Sequence, residues 1–191
     1  MPLKRVHYYI LGIIVLVAVV TISSWIGAVS NAKMSKNKIV SEKDEVHTSL
    51  LERYQAVDKI VDYIETTDQE ILSGIDTIKT NHTVFVSEIT NNDQTKLYNT
   101  AKLIDQTFVN LVDILQDNPT KYTPFTLSET DLDSYKTKTL TVINNINTLN
   151  AEIINYNNTI RVFPNIIYLH FYPLELIWDI NLYQPTLPSF N

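Results

Sequence analysis

Residues 132–163 read LDSYKTKTLTVINNINTLNAEIINYNNTIRVF. Within them Leu132, Tyr135, Thr139, Val142, Ile146, Leu149, Ile153, Tyr156, Ile160 and Phe163 follow one another at steps of three and four. That spacing gathers the side chains onto one stripe of an α-helix, the seam along which helices pack with a left-handed twist. Two more seams lie upstream. One runs Leu50, Tyr54, Val57, Val61, Ile64, Asp68, Ile71, Ile75, Ile78, His82, Phe85, Ile89, and the other Leu97, Ala101, Ile104, Phe108, Leu111, Leu115. Three such seams predict an all-α chain whose body is an antiparallel up-and-down helical bundle of three to four long helices, with coiled-coil-like packing.

The breaks between seams agree with this reading. Asn91-Asn92-Asp93 reads as a turn, with Asp93 capping the next helix. Pro119 and Pro124 bracket a loop, and Ser128-x-x-Asp131 has the form of a capping signal before the last long helix. Pro164 ends that helix, because a proline pushes the preceding residue, Phe163, out of the helical region. Residues 46–89 admit two readings. The unbroken seam and the lack of proline favour one helix, whereas Thr67-x-x-Glu70 has the form of a capping box and favours a break at Thr66-Thr67. Four bundle helices are the expectation, with the first able to continue from the segment before it.

That preceding segment is apolar. Between Val6 and Ala32 there is no Asp, Glu, Lys or Arg. The ten Ile, Leu and Val residues from Ile10 to Ile22 favour a bilayer centre by roughly 3 to 6 kcal/mol together. A run of this length matches a hydrocarbon core of about 30 Å. Tyr8, Tyr9 and Trp25 stand near its ends, where aromatic rings favour the headgroup region. The sequence therefore divides into a short tail (1–7), a single transmembrane helix (8–28) contacting the lipid bilayer of a cell membrane, a juxtamembrane segment (29–45), a bundle (46–164) and an aromatic, proline-rich tail (165–191). A cleaved signal peptide is the competing reading, with Lys4-Arg5 before the run and Ala28-Val29-Ser30 after it. The run exceeds the usual apolar core of such a peptide, about 7–15 residues, which favours a retained signal anchor. Lys33, Lys36, Lys38 and Lys43 on one side balance Lys4, Arg5 and the amino terminus on the other, so orientation stays open.

Composition narrows the function classes. With only Lys4 and Arg5 charged in residues 1–32, the remaining chain holds 13 basic against 21 acidic residues, a net of −8. Nucleic acid is not an expected partner of such a domain, since binding it requires clustered cations. The chain has no cysteine, which excludes disulfides, thiolate metal sites and a cysteine nucleophile. A di-metal centre in a bundle needs paired Glu-x-x-His motifs, and the nearest approach is a lone Asp44-x-x-His47. Three glycines, Gly12, Gly27 and Gly74, make no phosphate loop. No cofactor, metal or catalytic constellation is expected, and the chain does not read as an enzyme. His82 and Asp68 fall on the core stripe, either as register-setting polar positions or positions near a helix end with access to water, or as a polar layer that binds a ligand or senses pH.

Residues 163–191 differ from the rest. They hold Phe163, Tyr168, Phe171, Tyr172, Trp178, Tyr183 and Phe190, four of the seven prolines, and no Lys or Arg. Such a segment either packs along the bundle or docks on a membrane surface or partner through its aromatic residues.

The apolar N-terminal helix, the heptad helices and the closing run Asn150-x-x-Ile153-x-x-Tyr156-Asn157-x-x-Ile160-x-x-Phe163-Pro164 together resemble the bacterial LemA family. Members of that family end their last helix in a Tyr-Asn…Tyr-Asn…Phe-Pro run followed by an aromatic tail. Here Leu149-Asn150 stands where the first Tyr-Asn would fall, and Tyr156-Asn157 matches the second. Val46 to Val61 is similar to the family's first bundle helix, Glu52-Arg53 and Ile60-Val61 fitting its Arg-Arg…Asn-Leu-Val stretch, with Asp58 and Lys59 in place of its proline and asparagine. The family's tail glycine between two phenylalanines is missing, Phe171-Tyr172-Pro173 occupying that neighbourhood. The resemblance implies a divergent bacterial membrane protein with an antiparallel bundle and no assigned catalytic activity. On this reading the role is structural or interactive with a protein partner, and Tyr156, Asn157, Phe163, Pro164, Phe171 and Trp178 are the candidate contact residues. The alternative is a sensor domain that binds a small ligand between bundle helices and couples it to the membrane helix.

Overall fold

A computed structural model of the chain describes residues 2–91, 93–118, 121–122, 129–162, 165–170, 176–177 and 185. The described residues form five helices and no strand: α1 (Pro2–Asp62), α2 (Gln69–Asn91), α3 (Gln94–Asp117), α4 (Glu129–Arg161) and the short α5 (Asn165–Leu169). The architecture is all-α, as the seams predict.

α1 is 61 residues long. No glycine or proline interrupts it between Ala28 and Asp62, so residues 29–45 are helical. Residues 6–26 are exposed without exception. Among the described residues α1 is the one helix long and apolar enough to cross a membrane, with a mean hydropathy of 2.5 over its most apolar stretch, none of which is buried. α1 ends where its last turn tightens, Tyr63 N donating to Ile60 O at 3.3 Å and Ile64 N to Val61 O at 3.2 Å. Residues 46–89 are thus two helices, and the connection lies at 63–68. The cap of α2 is Asp68, one residue later than the Thr67 of the expected box: its Oδ1 accepts from Glu70 N at 2.9 Å and its carbonyl from Leu72 N at 3.0 Å. Aspartate outranks threonine as a cap, and Thr66 Oγ1 accepts from Asp68 N at 3.0 Å, fixing the residue in place. Asp93 caps α3 as expected, in extended backbone with its side chain accepting from Lys96 N at 3.1 Å. The expected signals at Pro119, Pro124, Ser128 and Pro164 lie outside the described residues.

The chain divides into two compact units. The larger comprises Glu42–Asn150 with Asp179–Asn191. In it the four helices pack around Leu50, Tyr54, Val57, Ile60 and Val61 of α1, Ile71, Ile78 and Phe85 of α2, the whole α3 seam, and Tyr135, Thr139, Val142, Ile146 and Leu149 of α4, all buried. Lys138 Nζ donates to Glu52 O at 3.2 Å and Asn145 Nδ2 to Glu45 O at 3.4 Å, so α4 runs antiparallel to α1. The other unit comprises Met1–Ser41 with Ala151–Trp178. There Ala28, Ala32 and Ile39 of α1, Ile153, Tyr156 and Ile160 of α4, and Leu169 of α5 are buried, and Lys38 pairs with Glu152.

Candidate functional site

The most concentrated chemistry in the larger unit is a polar layer inside the bundle. Arg53 is 0% exposed, Tyr135 and Thr139 likewise, and Asp105 3%. The helical period explains why each faces inward: Arg53 stands between Leu50 and Val57, and Asp105 between Ala101 and Phe108, on otherwise apolar stripes. The Arg53 guanidinium then divides its donors among two helices. Nη1 donates to Asp105 Oδ1 of α3, Nη2 to the Tyr135 hydroxyl at 2.9 Å, and Nε to Thr139 Oγ1 at 2.9 Å, both on α4. Thr139 Oγ1 passes the chain on by donating to Tyr135 O at 2.9 Å.

Aromatic rings close the layer. The guanidinium carbon lies 5.3 Å from the Tyr135 ring centre and 5.6 Å from that of Tyr54, a range in which a cation is attracted to the ring. Phe108 packs on Tyr135 at 5.3 Å, and Tyr54 meets Phe85 of α2 edge-on at 5.0 Å. The Tyr54 hydroxyl donates to Ala101 O at 3.2 Å. One layer therefore touches all four bundle helices. Burial pushes the Tyr135 phenol above its ordinary pKa, although Arg53 pulls it the other way. The layer is enclosed, and its donors and acceptors answer one another across α1, α3 and α4.

His82 is half-buried, with Nδ1 bonded to Asp58 Oδ2 of α1 and its ring 6.0 Å from that of Tyr54. It thus borders the aromatic side of the layer. Asp68 is not a core residue. It sits at the connection between α1 and α2, where its Oδ2 accepts from Lys121 Nζ at 2.6 Å and from the Tyr122 hydroxyl at 2.9 Å. The Lys121 ammonium, then the Tyr122 hydroxyl and the Glu70 amide, hold its carboxyl at about 2, below the ordinary 3.8. An open depression lined by Ile64, Glu65, Thr66, Thr67, Lys121 and Tyr122 lies beside it. His47, 6% exposed, is held below its ordinary pKa of 6.5 by burial, with Gln94 opposing. No three His, Asp or Glu side chains converge on a metal-binding geometry among the described residues.

Of the residues singled out for contact with a partner, Tyr156 is fully buried within the smaller unit. Asn157 is half-buried and grips the tail at two points: its Nδ2 donates to Ile177 O at 2.7 Å, and its Oδ1 accepts from Ile177 N at 3.1 Å. At Ile177 the tail is therefore bonded to α4. Phe163, Pro164, Phe171 and Trp178 lie outside the described residues. Sequence reasoning passed over Arg53 and Asp105 as site residues. The signal for both was a lone charge on a buried stripe, of opposite sign in two different helices.

No family model, curated protein or solved structure matches this chain.

Proposed function

We propose that the chain is a single-pass membrane protein of divergent LemA type, whose bundle serves a structural or protein-interaction role rather than catalysis. One observation carries the reading: the side chains best equipped for chemistry, Arg53 and Asp105, are closed inside the bundle and bonded to each other and to Tyr135 and Thr139. What the chain offers outward is the exposed apolar stretch of α1, suited to lipid, and the surfaces of a rigidly registered bundle. Photo-crosslinking from exposed bundle positions such as Gln55 or Leu140, in cells, tests it. A discrete crosslinked protein, lost when the labelled face is substituted with charges, is expected. Labelling that traps no protein at high occupancy refutes the role.

A sensor domain is the second reading, supported by the open depression beside Asp68, Lys121 and Tyr122. Its sign would be a small molecule that raises the melting temperature of the wild type but not of Lys121→Ala.

A further inference from the structure

Four observations in the smaller unit converge on α5. The first is register. Lys38 of α1 pairs with Glu152 of α4, and each helix runs on unbroken from the stretch where Glu52 meets Lys138 and Glu45 meets Asn145, contacts that make the two antiparallel. Ten residues along each from that pair lead to Ala28 on α1 and Val162, just past the end of α4. At equal rise per residue these two positions stand at the same level, to within about a turn. Ala28 is buried, whereas every residue from Val6 to Ile26 is exposed. The end of α4 is therefore level with the end of the apolar stretch.

The second observation is how α5 is attached. Ile166 N donates to Val162 O at 3.1 Å, so α5 begins one helical step beyond that level, and Asn165 Nδ2 ties it back to Thr159 O at 3.0 Å. Leu169, 5% exposed, seats α5 on its unit. Third, α5 turns large apolar side chains outward at that height: Ile166 is 52% and Ile167 55% exposed, and Val162 just before them 57%. Fourth, from Val162 to Leu174 the sequence has no Asp, Glu, Lys or Arg, while Trp25 stands at the same end of the span. An uncharged, apolar surface placed where the span meets the headgroups is the arrangement of an interfacial membrane contact.

We infer that α5 docks on the bilayer surface, with Ile166 and Ile167 entering the boundary between headgroups and acyl chains as a second membrane contact beside the span. This rests on the membrane-anchor reading of α1. The contact restrains the base of the smaller unit against the bilayer, because α5 is bonded to α4 and α4 is paired with α1.

The chain has no native cysteine, so single labels can be placed cleanly. Full-length Ile166→Cys, Ile167→Cys, Ile154→Cys and Val15→Cys variants, each carrying an environment-sensitive fluorophore, are reconstituted in phosphatidylcholine nanodiscs. Each is measured with and without phosphatidylcholine bearing nitroxides on the headgroup and the acyl chain. The expected result is blue-shifted emission and strong nitroxide quenching at 166 and 167, with aqueous, unquenched emission at 154, an exposed α4 residue farther from the span. Aqueous emission at 166 and 167 overturns the inference. So does blue-shifted emission there that lipid nitroxide fails to quench, which would mean that protein covers the surface. Quenching at 15 without quenching at 166 and 167 leaves the anchor standing and removes only the α5 contact. Absence of quenching at 15 removes the anchor itself.

Discussion

Arg53 cannot shed its proton, so a buried guanidinium stays charged and needs acceptors within reach. Asp105, Tyr135 and Thr139 supply them. A pair of this kind adds little net stability against apolar residues of the same volume, but breaking it from one side leaves a charge without compensation. Asp105→Ala should therefore cost about 3–5 kcal/mol, read by denaturant unfolding of the detergent-solubilised chain. The triple change Arg53→Met, Asp105→Leu and Tyr135→Phe removes all three groups together and should recover most of that loss. Its Thr139 hydroxyl still has the Tyr135 carbonyl as acceptor. If the triple variant proves as unstable as the single one, the layer contributes through packing and not through its charge. Asp68 gives a pH prediction. Its carboxyl titrates at about 2 in the folded chain, below the ordinary 3.8. The unfolded state thus binds the proton more readily, and the stabilisation is complete above about pH 4 and vanishes as pH falls through about 2. The melting temperature of Asp68→Asn should lie below that of the wild type at pH 7, and the gap should close between pH 4 and pH 2.

At the scale of elements, the connection at 63–68 decides how many bundle helices there are. Periodicity alone runs through it, since Val61, Ile64, Asp68 and Ile71 keep the three-four spacing. The helix nevertheless ends, because Thr66 and Asp68 offer the backbone local hydrogen bonds that compete with continuation. The same local chemistry makes Asp68 a helix-end cap, the arrangement with access to water, rather than a member of a core layer. His82, on the same seam, does reach the edge of the core, through Asp58 and Tyr54. α2 contains the one bundle glycine, Gly74, at a helical position where a methyl group would meet only Leu111 Cδ1 at 3.5 Å, an ordinary contact. Gly74→Ala should accordingly stabilise the chain by about 0.5–1 kcal/mol, seen as a higher melting temperature, since alanine loses less backbone entropy in a helix. An unchanged or lower melting temperature would mean that α2 and α3 cannot accommodate the added methyl group.

For the molecule as a whole, the membrane reading makes the sharpest demand. A lysine at the centre of a span costs about 2.5–3.5 kcal/mol, more than several of the Ile, Leu and Val residues there contribute. Val15→Lys with Val17→Lys should shift the protein from the alkali-resistant membrane fraction into the soluble one, while the same pair of changes at exposed Leu103 and Leu140 should leave its partition unchanged. Persistence of the double-lysine variant in the membrane fraction would show that something other than 8–28 holds the protein there.

The sequence by itself determined the helical class, the stripes that form the core and the apolar segment, because each rests on the spacing of side chains along one helix. Leu97, Ala101, Ile104, Phe108, Leu111 and Leu115 were readable in this way, and all six are buried. The cap at Asp93 was readable for the same reason, its partner lying three residues away. Only the tertiary structure decided that Arg53 finds Asp105, that Asn157 holds Ile177, and that Lys38 meets Glu152. Those partners sit on different helices or beyond a turn, and sequence spacing carries no information about which of many polar groups will be brought together. Burial shows the same division. A charge on a stripe looks like an interruption until the opposing helix supplies its counter-charge, and then it becomes a buried contact between two helices.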